Sequence, residues 1–262
     1  MANCEECGAA HILRNTSGAT WKKNCLCPDL SIHVPRTRAT IIVPSKHNDI
    51  FEACKNSIDK YAPKEKKILV RDGNAISSPD QWITIQGPAS PFVYSRNINL
   101  GIKQSTGDVL LTNDDVRFTH PYTLEIMQNV MEKNPDVGIL SPLIIGDVGE
   151  FFQSHATKTL HYTQVRLCFV CVLIKKEVLD KVGLLDERFT GYGYDDCDYS
   201  RRVVEAGWKL GVTGKAKVIH GHGDNRRSAS YNRQEYGTIN ALDEIAKQQY
   251  LEKWGDLSLE CK

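Results

Sequence analysis

Asp108-Val-Leu-Leu-Thr-Asn113-Asp114-Asp115-Val116 opens as an apolar run and closes as a cluster of oxygen-bearing side chains, all within nine residues. The stretch from Asp108 to Thr112 reads as a strand. The switch to Asn and Asp falls at the strand end, which is where open α/β sheets place their ligands. Side chains alternate along extended chain, so Asn113 and Asp115 are expected to point the same way and to offer oxygen to one hard cation. Such an ion could neutralise a diphosphate. A polar turn after a strand has the same composition, so the motif does not decide the chemistry by itself.

Outward from this strand the pattern repeats. Ala39 to Val43 is a short β-branched run stopped by Pro44, and Phe51, Cys54, Ile58 and Tyr61 then recur at helical spacing behind Asp49 near the N-cap. Ile68 to Val70 and Trp82 to Ile85 read as strands, and a helix ends near Gln104. Leu124, Met127 and Met131 mark a helix after Pro121, and Val137 to Leu140 returns to strand. This rhythm predicts an α/β fold with an open, mostly parallel central sheet flanked by helices. Asn232 to Trp254 reads as a closing helix, with Leu242, Ile245 and Tyr250 available to pack it. Cys168 and Cys171 read as core residues of a buried strand.

The 262 residues can bury roughly 70–75% of the surface of the unfolded chain, enough for one substantial core. An apolar share of 41% and a charged share of 25% exclude wholesale disorder. The longest apolar run, Leu167 to Ile174, is far short of the roughly 20 residues that cross a bilayer, and no apolar leader opens the chain. A cytoplasmic location is the expectation. Thirty-three basic against 32 acidic residues leave a formal charge of +1, so no global field recruits a polyanion.

Nine cysteines cannot all pair within one chain. Four of them, Cys4, Cys7, Cys25 and Cys27, crowd the first 27 residues as two close pairs. Each short turn can aim two thiolates at one tetrahedral Zn2+, in the manner of a zinc ribbon or knuckle. His11 and His33 are possible substitute ligands, and four unpaired surface thiols are the alternative. Residues 1–37 are therefore expected to be a small zinc module and 38–262 the α/β body, joined at Ser31 to Arg38.

Two further clusters carry chemistry. Gly191-Tyr-Gly-Tyr-Asp195-Asp196-Cys197-Asp198 leads into a helix and holds three carboxylates in four residues. The helix dipole favours acids there, by about 0.3–1 kcal/mol each, which accounts for one or two of them. Crowded carboxylates also raise one another's proton affinity, as a general base near neutral pH requires. The two glycines flanked by tyrosines read equally as an acceptor lip or as a structural turn. Farther on, a strand ends at His220-Gly-His222, and imidazole suits borderline divalent metals such as manganese.

Taken in order, TIIVPSKHN, ILVRDGN, NINLGIKQSTGDVLLTNDDV, GLLDERFTGYGYDDCDYSRRVVEAGWKLGV and VIHGHG resemble an inverting, nucleotide-sugar-dependent glycosyltransferase of the family-2 type with a GT-A fold, over about residues 39 to 224. That resemblance implies a hexosyltransferase-type enzyme moving a sugar from a nucleotide-diphosphate donor to an acceptor hydroxyl on a glycan, a lipid-linked sugar or modified nucleic acid. It places Pro44 and Lys46 at the start of the nucleotide pocket and Asp72 at the base, with Arg71 where the family often has another acid. Asn99 and Gly101 match an Asn-x-Gly element packed on the nucleotide, helped by Arg96. Asn113 and Asp114 fall on the donor, and Asp115 becomes the ligand of Mn2+ or Mg2+, with His220 completing the metal site and His222 in reserve. Asp196 is the implied catalytic base, and Asp195 orients the acceptor or tunes its neighbour.

Two other classes fit parts of the chain. The body could bind a nucleotide sugar without turning it over, since Arg71 and Asn113 each stand where an acid is usual. The cysteine module with Lys22, Lys23, Arg36 and Arg38 could bind nucleic acid, and a transferase that modifies nucleic acid would join both halves.

Overall fold

Phe51, Cys54 and Ile58, spaced three and four apart, are all buried on one face of the first long helix. A computed structural model describes residues 2–3, 10–11, 39–46, 48–72, 78–88, 92–148, 151–163, 165–221 and 239–257. The expected zinc ligands Cys4, Cys7, Cys25 and Cys27, the substitutes His11 and His33 as side chains, and His222 lie outside what is described. Ala2–Asn3 and Ala10–His11 form a two-residue antiparallel pair.

The body runs β1 (Thr40–Ser45), α1 (Asn48–Tyr61), β2 (Lys66–Asp72), β3 (Ile83–Gly87), α2 (Tyr94–Ile102), β4 (Val109–Thr112), β5 (Val116–Phe118), α3 (Thr123–Lys133) and β6 (Val137–Ile145). It continues through α4 (Phe151–His155), β7 (His161–Thr163), β8 (Cys171–Ile174), α5 (Lys176–Val182), α6 (Asp195–Glu205), β9 (Lys209–His220) and α7 (Ile239–Trp254). The strands form one nine-stranded sheet in the order β3-β2-β1-β4-β8-β6-β9-β5, with β7 also paired to β9.

The sheet is mixed, which corrects the expectation of a mostly parallel one. The β1–β2, β1–β4, β2–β3 and β6–β9 pairings are parallel. The β4–β8, β6–β8, β5–β9 and β7–β9 pairings are antiparallel. The reason lies in where β8 is entered: α4 and β7 take the chain to the amino end of β9, with Thr163 opposite Leu210, and the following residues lead it back to the carboxyl edge before β8 begins. That strand starts beside the end of β4, with Cys171 opposite Thr112, and runs back between β4 and β6. Cys-Val-Leu-Ile is apolar on both faces, and a run of that kind carries no sign of its direction. The other long strands share one direction, so Ser45, Asp72, Asn113, Ile145 and His220 lie at one edge of the sheet.

Helices cover both faces, and this is why the strands are continuously apolar. Ile41, Val43 and Leu110 pack with α1 and α3, whereas Ile42, Ile68 and Leu111 pack with α2, α5 and α6. Each fully buried Ile or Val contributes roughly 1.5–3 kcal/mol. A Cβ on Gly101 would lie 2.4 Å from Ile42 Cγ2, so glycine is what lets α2 approach β1 this closely. Pro44 sits in a central strand at no cost to the ladder. Thr40 donates toward the β4 side, residues of the same parity face that side in a parallel strand, and the β4 pairing has already ended at Ile42.

Of the residues expected to pack the closing helix, Tyr250 is buried and Ile245 is not, and the side chain of Leu242 lies outside what is described. Ala246 and Tyr250 are buried in a satellite cluster with Phe189, Tyr194 and Cys197, while Ile245 is 45% exposed. Among the described residues no helix is long and apolar enough to cross a membrane.

Candidate active site

After β4 the chain turns instead of continuing extended. Val116 N–H donates to Asn113 C=O at 3.3 Å and Asn113 N–H to Val170 C=O at 2.9 Å, so simple alternation does not govern these side chains. Asp114 and Asp115 are both buried. Ser45 Oγ, at the end of β1, donates to Asp114 Oδ2 at 2.6 Å. Cys54 Sγ from α1 reaches Asn113 C=O at 3.6 Å. Its thiol is pushed up by burial first and then by the charges of Asp114 and Asp115, which makes it an inert packing group.

Asp115 meets His220 because β5 and β9 pair with Val116 opposite His220 and because Gly221 N–H donates to Asp115 C=O at 3.0 Å. His220 Nε2 stands 3.3 Å from Asp115 Oδ1, yet neither Asp115 oxygen has a well-formed hydrogen bond among the described residues. The other ring nitrogen, Nδ1, contacts the carbonyl of Asp147. With its proton on Nδ1, the ring turns a lone pair toward a buried carboxylate. Two facing donors of this type suit a divalent ion, and the carbonyl behind the imidazole fixes its tautomer. Burial opposes a charge on His220, but Asp115 and then Asp147 outweigh it and raise its proton affinity. Among the described residues no group of three or more His, Cys, Asp or Glu is placed to hold a metal, so the protein offers this pair.

Next along the edge, Asp72 is 1% exposed and both its oxygens lack a well-formed hydrogen bond. Burial pushes its pKa up, while the charges of Lys46 and Arg96 and the Asn97 amide pull it down. Lys46 and Arg96 are thus close enough to Asp72 for their charges to act on it. Arg71 is occupied elsewhere, its Nε donating to Gln86 Oε1 at 2.8 Å. Asn99 is directed away from this group: its amide brackets Leu185 and Glu187 across the molecule.

The acidic cluster separates into two kinds of residue. Asp198 is fully buried and structural, accepting from Arg202 Nε at 2.9 Å and Trp254 Nε1 at 3.0 Å, with Lys253 Nζ at 2.6 Å. Asp195, buried at the first turn of α6, has its carboxyl pushed well above the usual range by burial and then by the negative charge of Asp196. Asp196 is half-buried. Within the glycine-tyrosine segment, Gly193 (φ +80°) and Tyr194 (φ +64°) adopt left-handed conformations. Tyr194 belongs to the satellite core and Tyr192 is 43% exposed.

Phe169 and Val170 lie between the elements that carry the two acidic groups, Phe169 meeting Tyr199 of α6 edge to face at 5.9 Å between ring centroids. The phenol of Tyr94 donates to Phe169 C=O at 3.0 Å, and its ionisation is opposed by burial and then by Asp195 and Asp196. Phe169 precedes Val170, whose carbonyl holds Asn113. The NDD turn and the Asp195–Asp196 pair therefore flank one short segment at the carboxyl edge. Nothing in the local sequence marks Tyr94 or Asp147 as neighbours of this group, and only the strand-end position of Ser45 beside Pro44 signals that residue. A cavity of about 290 Å³ lined by Tyr162, Trp208 and Lys209 lies at the opposite end of β9.

No family model matches the chain. It is 25% identical over 256 residues to the uncharacterized protein y4gI of Sinorhizobium fredii, covering 78% of this chain and 28% of that protein. It is also 25% identical over 174 residues to the O-antigen biosynthesis protein RfbC of Myxococcus xanthus, covering 56% of this chain and 13% of that one. The chain thus spans less than a third of the curated relatives it matches. Among solved structures, GalNAc-T7 with UDP, GalNAc and Mn2+ superposes with a TM-score of 0.57 at 11% identity, over 81% of this chain and 49% of that one. The mannosyltransferase PcManGT of Pyrobaculum calidifontis, with GDP-Man and Mn2+, gives 0.54 at 19% identity, over 76% and 60%. The fold is therefore the mixed α/β fold of GT-A glycosyltransferases.

Proposed function

We propose that the body of this chain, residues 38–262, is a metal-dependent, inverting glycosyltransferase of hexosyl type acting on a nucleotide-diphosphate sugar. The observation that carries the reading is the buried Asp115 carboxylate, without a well-formed hydrogen bond, facing His220 Nε2 at 3.3 Å at the carboxyl edge of the sheet. Support comes from the fold likeness, from neighbours holding UDP or GDP-Man with Mn2+, and from the O-antigen biosynthesis relative.

Asp115 and His220, with His222 in reserve, would hold Mn2+ or Mg2+, and such an ion supplies positive charge to a departing diphosphate. Asp114, fixed by Ser45, and Asn113 line the donor side. Asp72, under the charges of Lys46 and Arg96 and near the end of β1, where Pro44 and Ser45 stand, offers an acceptor for a base N–H. Asp196 takes the proton of an acceptor hydroxyl as that oxygen bonds to the anomeric carbon and the sugar–phosphate bond breaks opposite to it, which inverts the centre. The high proton affinity of buried Asp195 keeps a second negative charge from forming beside Asp196. Residues 1–37 remain a proposed Zn2+ module.

The test is incubation of the protein and Mn2+ with UDP-glucose, UDP-galactose, UDP-N-acetylglucosamine and GDP-mannose. Metal-dependent release of nucleoside diphosphate from one of them is expected. Binding without release would make the chain a nucleotide-sugar binder, and no binding at all would sink the reading.

A further inference from the structure

Asn99 lies in the middle of α2 at 1% exposure, yet each end of its amide is engaged 86 residues farther along the chain. Its Nδ2 donates to Leu185 C=O at 2.8 Å and to Glu187 Oε1 at 2.9 Å, and its Oδ1 accepts from Leu185 N–H at 3.0 Å. A side-chain amide that satisfies both backbone groups of one residue acts like a one-residue strand pairing and fixes that residue's position. The segment beyond Leu185 is held from the other side by α7. Lys253 Nζ pairs with Asp186 at 2.7 Å, Gln249 exchanges hydrogen bonds with Thr190 N–H at 3.2 Å and Thr190 Oγ1 at 3.1 Å, and Tyr250 packs on Phe189 and Tyr194. After Thr190 come the two glycines, left-handed Tyr194 and the Asp195–Asp196 pair. Only four residues separate this doubly clamped segment from the acids, and the last of them, Tyr194, is itself buried against Tyr250, so the anchor and the packed tyrosine together set where α6 and its first acids begin.

We infer that Asn99 is a positioning residue for the acceptor-side acids, locking the Leu185–Thr190 segment against α2 while Gln249 of α7 locks it from outside. This rests on the glycosyltransferase reading for its kinetic consequence, but not for its structural one. It differs from a donor-contacting role because every polar atom of the Asn99 amide is spent on Leu185 and Glu187.

The test compares wild type with Asn99→Ala and with Gln249→Ala, a surface substitution that spares the core. Three quantities are read: the kcat for Mn2+-dependent hydrolysis of the four nucleotide sugars above, the Kd for UDP and GDP with Mn2+, and amide hydrogen exchange. The expected result is a fall in kcat of about 10- to 100-fold for Asn99→Ala and a smaller fall for Gln249→Ala. Nucleotide Kd should change less than about twofold, and exchange should be faster at residues 191–196 but not at 109–116. Weakened nucleotide binding with kcat retained would overturn the inference, as would unchanged exchange at 191–196 in Gln249→Ala. Should wild type hydrolyse none of the four sugars, the functional proposal fails, and the exchange comparison still decides whether the clamp positions the acids.

Discussion

His220 Nε2 stands 3.3 Å from Asp115 Oδ1 across the antiparallel pairing of β5 and β9, and the pair is buried without a well-formed hydrogen bond on the carboxylate. The two residues are 105 positions apart, and strand register alone brings them together. A buried carboxylate in this state is costly unless a cation or a proton compensates it.

Asp115→Asn should therefore abolish the effect of metal on stability. At pH 8, Mn2+ at about 100 times its Kd should stabilise wild type by about 2.7 kcal/mol, and the variant should show no such gain while its metal-free Tm does not fall. Thermal melts with and without Mn2+ check this. A variant still stabilised by Mn2+ would remove Asp115 from the metal site.

Two acids of one helix turn should behave oppositely. Asp196→Asn is expected to lower kcat by about 10²–10⁴-fold with nucleotide binding and Tm nearly unchanged. Asp198→Ala strips the partner from Arg202, Lys253 and Trp254 and should cost about 3–5 kcal/mol in urea unfolding.

Ser45→Ala removes the 2.6 Å hydrogen bond to the buried Asp114 carboxylate. Bonds of this type to a charged group contribute about 1.5–3 kcal/mol. The variant should lose that much stability in denaturant unfolding and should bind nucleotide with Mn2+ several-fold more weakly. Calorimetry measures the second effect, and unaltered affinity would separate Asp114 from the donor.

Asp59 gives a pH prediction on the face remote from this chemistry. Burial pushes its carboxyl up, but hydrogen bonds from Lys67 and Trp82 and the lysine's charge prevail and hold it below the usual range. A depressed folded-state pKa means the stabilisation is complete above the unfolded value of about 3.9 and is lost as pH falls through the folded one. Asp59→Asn should thus be less stable than wild type at pH 7, and the gap should close as pH drops below about 4. Urea midpoints at pH 7, 5, 4 and 3 follow it, and a gap that widens toward acid would refute the assignment.

Much of the fold could be read from the chain. The β-branched run ending at Pro44, the helical spacing of Phe51, Cys54 and Ile58, and the apolar-to-acidic switch at Asn113 each depend on neighbours in sequence. The direction of β8 could not be read, because Cys171–Ile174 is apolar on both faces in either orientation. The packing face of α7 could be read only in part: Tyr250 is buried, but Ile245 is exposed while Ala246 is buried.

By itself the sequence determined which residue types stand at strand ends, since periodicity and chain breaks are local properties set by backbone geometry. Only the tertiary structure decided which of those residues meet. Asp115 faces His220 through strand register, Asp198 became a structural anchor once α7 brought Lys253 and Trp254 to it, and Asn99 turned to Leu185. These outcomes depend on the packing of distant elements, in which burial and the pairing of polar groups select one partner among several of the same chemical kind.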